Sequence, residues 1–438
     1  MAPALSDLQP QSAPKATAAA QAAIGDSLVK EAQTFADELA AWRHDLHRTP
    51  ELGNDLPQTS AYIQARLAEM DIPFATLVDG SCVVGLVGAG AAAAQGNGVC
   101  TDEQAGTVIM LRGDMDALPV AEESGEPFAS TNGCMHACGH DMHATALLGA
   151  ARLLKAREAE LVDANATVKL LFQPGEETFE GARAAIADGL LENPRPQAAF
   201  AMHVNSQSPL GLVLYGSPAL SGVYGFRITL QGKGGHGSSP EICIDPITAA
   251  AHIHIALQEI NSRELDPAGF GVFTTGRFEA GKASNVIPDT ADMWGTIRTV
   301  DPEQKVSALI HQRMTEIAQG VATAYRCTAE VEFSDYCPCM VVDTPLAGNA
   351  LTYMTELLGK GAMDMTPLTG GKPGGGSEDF AFVSHEVPTV SMFLAAGNAK
   401  EGYTYGQHHP KVRFDDSILY RGTAAYTYMA LRWLAEHQ

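Results

Sequence analysis

Thr107-Val108-Ile109-Met110-Leu111-Arg112-Gly113-Asp114-Met115-Asp116-Ala117-Leu118-Pro119 decides how the rest of this chain is read. It opens as an apolar run with β-branched members and closes on two carboxylates before a proline. That is the pattern of a short buried strand delivering Asp114 and Asp116 at its C-terminal end. Open α/β sheets place their chemistry outside such ends. The neighbouring segments alternate to match. Cys82 to Val87 reads as a strand, His143 to about Arg157 as a helix, Val168 to Phe172 as a strand, Ala182 to Leu191 as a helix and Ala198 to Val204 as a strand. The alternation argues for an α/β fold with a mainly parallel central sheet flanked by helices.

Working outward, residues 1–27 are rich in Ala, Pro, Ser and Gln and read as a flexible tail, with neither the basic nor the apolar region of a secretory leader. From Leu28, the period of Ala32, Phe35, Ala36, Leu39 and Trp42 predicts a helix ending before Pro50, and a second helix follows Pro57. The Ala- and Gly-rich stretch 88–106 reads as a surface loop. After Gly216 the character changes. Phe226 to Gln231, Val272 to Glu279, Met293 to Thr299 and Ala329 to Phe333 read as strands, with helices over Pro246 to Ile260 and Val306 to Val321. The order β-α-β-β-α-β suits an inserted ferredoxin-like α+β domain over 217–334. The first domain, 28–216, then resumes over 335–438 with a helix at Leu346 to Leu358, a glycine loop at Lys372 to Gly376, a strand at Thr389 to Ala395 and a closing helix at Asp415 to Trp433.

Composition sets outer limits. In 438 residues, 28 Lys+Arg against 51 Asp+Glu give a formal charge of −23, which repels nucleic acid and anionic membrane. Neither is expected as a partner. Eight cysteines without the dense spacing of a disulfide scaffold read as reduced thiols, and the expected location is cytoplasmic.

The chemistry gathers in Cys134-Met135-His136-Ala137-Cys138-Gly139-His140-Asp141-Met142-His143. Cys138 and His140 are too close in sequence to share a helical face, but a glycine turn can aim both at one metal or at two adjacent ones. A thiolate ligand favours zinc or a similar borderline ion over magnesium or calcium. His136 and His143 read as supporting residues. In Gln173-Pro174-Gly175-Glu176-Glu177 a turn after a strand offers two carboxylates, one to ligate a metal and one to act as general base on water. His203 closes an apolar strand, and Gln407-His408-His409-Pro410 supplies further imidazoles. The chain has no Gly-x-Ser-x-Gly elbow and no His-Glu-x-x-His helix.

Together with Gly234-Gly235-His236-Gly237, Asn285-Val286-Ile287-Pro288 and Gly376-Ser377-Glu378-Asp379-Phe380, these runs resemble the metal-dependent amidohydrolases of the aminoacylase, hippurate hydrolase and auxin-conjugate hydrolase branch. That branch is related to zinc carboxypeptidases and dipeptidases, and the resemblance covers roughly residues 30 to 436. It implies Cys138, His140, Glu177, His203 and His408 as ligands of one or two divalent ions, zinc foremost, with manganese, cobalt or nickel as alternatives. It makes Glu176 the general base and His236 an oxyanion stabiliser, with Asn285, Arg298 and Gly376 as further substrate contacts and Asp116 as a support for the ligands. It makes 217–334 a lid and dimerisation domain of a homodimer or higher homo-oligomer. The implied reaction is hydrolysis of N-acyl amino acids, with a dipeptidase or carboxypeptidase as the alternative. Asp114 stands where the carboxypeptidase relatives carry a histidine ligand, so their two-metal arrangement does not transfer unchanged.

Overall fold

The computed structural model describes residues 18–437 except 95–98, 207, 212, 216–219, 268 and 365–375. Its larger sheet has eight strands: β1 (Phe74–Leu77), β2 (Cys82–Gly88), β3 (Thr107–Asp114), β4 (Ala166–Gln173), β5 (Ala198–Asn205), β6 (Val213–Tyr215), and, late in the chain, β13 (Ala362–Asp364) and β14 (Thr389–Ala395). They lie in the order β1-β2-β4-β3-β5-β14-β6-β13. The four central strands β4, β3, β5 and β14 run parallel, and antiparallel pairs flank them. β2, β3 and β4 are buried along almost their whole length, which explains why they read as continuous apolar runs instead of alternating ones. Two helices, His140–Lys155 and Leu419–Glu436, pack on each other against this sheet. The first is buried nearly all round, so close approach is required: a Cβ at Gly149 would stand 2.3 Å from Thr423 Oγ1.

Between β6 and β13 the chain builds a second sheet from β7 (Gly222–Gln231), β9 (Phe270–Ala280), β11 (Thr290–Val300) and β12 (Thr328–Cys337). All its pairs are antiparallel, in the order β12-β7-β11-β9. The helices Pro246–Ala256 and Lys305–Ala324 cover it, and Ile228, Leu230, Ile253, Met293, Ile310 and Met314 form its own core. A separate two-stranded ribbon pairs β8 (Gly235–His236) with β10 (Val286–Ile287).

Three expectations need correction. Helix begins at Ala18, inside the stretch 1–27 read as a tail, and Tyr428 Oη donates to Gln21 O, tying this helix to the C-terminal one. The single helix expected before Pro50 is two, Ala18–Gln33 and Ala36–Arg48, because the chain turns at Thr34 and Phe35. The stretch 88–106 is no exposed loop where it is described. Ala89–Ala94 and Asp102–Ala105 are helical, and Ala91, Ala94, Cys100 and Ala105 bury against Leu86 and Val108. Small side chains hid a packing role that larger apolar residues would have advertised. The glycine loop read at Lys372 to Gly376 lies outside the described residues except for Gly376.

Candidate metal centre

The carboxyl ends of β3, β4 and β5 point the same way, so Asp114, the Gln173–Glu177 turn and His203 meet at one edge of the sheet. The Cys134–His143 stretch arrives there through a turn at Gly139, where φ is +93°. A Cβ at Gly139 would lie 2.4 Å from Val204 Cγ2, so only glycine lets Cys138 and His140 approach β5 together. A similar turn at Gly175, φ +65°, releases Glu176 and Glu177 from the alternation of β4. His408 comes from the far end of the chain. Its own backbone is left-handed, φ +66°, and its N–H donates to Ala137 O at 2.9 Å.

Two of the donor groups that these residues form share one sulfur. Cys138, His140 and His203 each offer a ligand atom within 4.8 Å of the others, and so do Cys138, Glu177 and His408. Cys138 Sγ lies 3.4 Å from His203 Nε2 and 3.3 Å from His408 Nε2, while His408 Nε2 is 3.4 Å from Glu177 Oε1. The second nitrogen of each buried imidazole is already occupied: His140 Nδ1–H donates to Asp116 O at 2.8 Å, and His203 Nδ1–H donates to Val204 O at 2.7 Å. Both therefore turn Nε2 toward the cluster. Asp116 supports the site from behind, accepting the N–H groups of Glu176 (3.0 Å) and Glu177 (3.1 Å).

The cluster fits a divalent cation on its own evidence. His140 Nε2 and Glu177 Oε1 are buried without a hydrogen-bond partner, which is costly for polar atoms unless a cation satisfies them. A soft sulfur, imidazoles and a carboxylate make a borderline-metal donor set. His143 is not free to join: it accepts the Val204 N–H at Nε2 (2.7 Å) and donates from Nδ1 to Asp114 Oδ1 (2.5 Å). Asp114 Oδ1 is taken by His143, whereas Oδ2, 2.7 Å from Arg112 Nη1 and 3.6 Å from His140 Nε2, is buried without a hydrogen-bond partner.

Glu176 lies beside this cluster, its Oε2 3.8 Å from His140 Nε2. Burial pushes its carboxyl well above the usual range, and the carboxylates of Glu378 and Glu177 push it further. The charge excess is what a bound cation would offset.

The expected substrate contacts are placed apart from these ligands. His236 and Asn285 come together on the β8–β10 ribbon, where Gly237 N–H donates to Asn285 O at 2.8 Å. His236 is exposed, its Nδ1 accepting the Ser238 hydroxyl at 2.8 Å, and among the described residues no hydrogen bond or ion pair joins it to the metal cluster. Arg298, on β11, donates to Ser377 Oγ, and Gly376 O accepts the Ser221 N–H at 2.9 Å.

Two charge networks behind the site went unassigned in the sequence, although a charged residue inside an apolar strand, as at Arg112, is a signal that a buried partner exists. Arg112 forks onto Glu378 and also reaches Gln173 Oε1 at 2.9 Å. Asp141, one residue past His140, accepts from Arg43 Nε and His47 Nδ1, each at 2.8 Å, and His47 Nε2 is 3.1 Å from Glu122 Oε1. Burial opposes charging His47, but Asp141 and Glu122 win and push its pKa up to about 9. A group raised in the folded state contributes stability that is complete below its unfolded value, about 6.5, and is lost as pH rises through 9. The stability advantage of wild type over His47→Gln, on the order of 3 kcal/mol at low pH, should therefore shrink in urea melts between pH 6.5 and 9.5. A difference constant with pH would contradict this.

Residues 110–432 match the family described as peptidase family M20/M25/M40. An IAA-amino acid hydrolase of Arabidopsis thaliana is 35% identical over 409 residues, 92% of this chain and 87% of that protein. An N-acetylcysteine deacetylase of Bacillus subtilis is 35% identical over 400 residues, 91% of this chain and 96% of that protein. Among solved structures, a Bacillus subtilis protein described as a dinuclear metal binding peptidase superposes with a TM-score of 0.74 at 30% identity, covering 92% of this chain and 99% of that one.

Proposed function

This chain belongs to peptidase family M20/M25/M40, and from that premise we propose that it hydrolyses the amide bond of N-acyl amino acids, releasing a carboxylic acid and a free amino acid. The observation that carries the proposal is Glu176: a buried carboxylate that shares no donor group with Cys138 yet lies within 4.8 Å of donor atoms of His140 and Glu177. The named activities of the two relatives, both on N-acyl amino acids, support the substrate class. Cys138, His140 and His203 would hold one ion and Cys138, Glu177 and His408 a second. The sulfur and imidazole donors favour zinc. When bound, the ion supplies a Lewis acid that brings the pKa of water toward about 7 and polarises the amide carbonyl. Glu176 takes the proton of the attacking water and returns it to the leaving amine. His236 donates to the carbonyl oxygen as charge develops there, with Asn285, Arg298 and Gly376 binding the rest of the substrate and Asp116 fixing the ligands.

Residues 217–334 form the lid that carries His236 to the substrate. They also form the dimer contact, which the exposed Phe270, Val272 and Phe278 on the edge strand β9 support. Eight free thiols suit a reducing, cytoplasmic setting, and among the described residues no helix is long and apolar enough to cross a membrane.

The test is metal analysis with a panel of acetyl, benzoyl, long-chain acyl and indole-acetyl amino acids beside dipeptides, with and without chelator. Hydrolysis of at least one N-acyl class should disappear on chelation and return with zinc, manganese, cobalt or nickel. Turnover of dipeptides alone would make the protein a peptidase, and turnover surviving complete metal removal would contradict the mechanism.

A further inference from the structure

We propose that Glu378 is a positioning residue for Glu176: its fixed carboxylate holds the Glu176 carboxylate toward the metal ligands. The inference rests on the amidohydrolase reading above. Carboxylate oxygens of Glu176, Glu378 and Asp379 lie within 4.8 Å of one another. Two of the three are pinned. Glu378, 5% exposed, accepts Arg112 Nη2 at 2.7 Å and the Phe380 N–H at 3.1 Å on Oε1, and Arg112 Nη1 at 3.2 Å on Oε2. Asp379 accepts Gln173 Nε2 at 2.6 Å and the Ala182 N–H at 2.7 Å. The Glu176 carboxylate, by contrast, receives no hydrogen bond from any described residue; its Oε2 lies 3.8 Å from His140 Nε2, and with His140 and Glu177 it forms a further group of donor atoms within 4.8 Å of one another.

One carboxylate fixed by Arg112 thus lies next to one that no described residue fixes. In a pocket shielded from water, like charges at this separation repel strongly. Repulsion from Glu378 disfavours positions of the Glu176 carboxylate that approach it and so favours those nearer His140 and Glu177. Arg112 makes the arrangement rigid, because its guanidinium forks onto Glu378 while also facing Asp114 at 2.7 Å. Removing the charge at 378 leaves Arg112 paired with Asp114, so the ligands keep their support while Glu176 loses its backstop. An amide at 378 can also donate a hydrogen bond to Glu176 and draw it backward.

The test is Glu378→Gln in the metal-loaded protein. kcat should fall about tenfold to a hundredfold, the size of effect a misplaced catalytic group produces, with KM and metal content unchanged. Glu378→Asp, which keeps the charge, should recover most of that loss. A crystal structure of zinc-loaded Glu378→Gln should show the Glu176 carboxylate displaced toward residue 378. Wild-type kcat in Glu378→Gln, a loss that tracks metal content, or an unmoved Glu176 would each overturn the proposal. If Glu378→Gln does not fold, Glu378→Asp decides, and a kcat as low as that of Glu176→Gln would overturn it. Glu176→Gln assayed in parallel separates the two ideas: full turnover there would sink the base assignment, while the crystal structure still judges Glu378.

Discussion

Glu176→Gln is expected to lower kcat by about a hundredfold to ten-thousandfold, the range a positioned general base supplies, while the protein keeps its metal. The two effects separate because of where Glu176 stands. Its carboxylate lies within 4.8 Å of donor atoms of His140 and Glu177 but is in neither group built on Cys138, and its backbone N–H bond to Asp116 does not depend on the side chain. Glutamine preserves the shape and removes only the proton acceptor. Metal content by atomic spectroscopy should match wild type, and KM should change little, since the water is engaged by the base chiefly as the transition state forms. Near-normal turnover in a fully metallated variant would remove Glu176 from the mechanism.

Cys138→Ser should be the most damaging single change to metal binding, because the sulfur is common to both donor groups. Losing a residue that merely supports a ligand costs about tenfold to a hundredfold in affinity, and loss of a shared ligand should exceed about a hundredfold for both ions. His408→Ala supplies the contrast. His408 takes part in one group only and its side chain is 56% exposed, so the variant should release one ion and retain the other. Titration of both variants with zinc, followed by calorimetry, reads the stoichiometry directly. Loss of a single ion from Cys138→Ser would show that the thiolate is not shared.

Much of this was legible in the sequence, and the reasons differ by residue. Strands β3, β4 and β5 announced themselves as apolar runs because both their faces are covered. Cys138, His140, Glu176 and Glu177 stood out because glycine turns beside metal-binding side chains have few other uses. His143 could be set apart from the ligands, but its reason, a Val204 N–H on one nitrogen and Asp114 on the other, exists only once β3 and β5 are side by side. The same holds for Glu378, which lies 266 positions from Arg112. Local spacing carries no trace of a pair formed by tertiary packing. The helices over Ala89–Ala94 and Asp102–Ala105 were misread for another reason: alanine and glycine bury little area each, so their contribution shows only in the packed cluster with Leu86 and Val108.

The wide separation of the ligands has a bearing on biogenesis. Cys138 meets a histidine 270 positions further on, and that histidine is set by the hydrogen bond of its own backbone to Ala137. During translation Cys138, His140, Glu177 and His203 leave the ribosome long before His408 exists, so a nascent chain holds the residues of the first donor group but not those of the second. Filling of the second group would therefore be a late event: a chain terminated early keeps Cys138, His140 and His203 but never completes the group that needs His408.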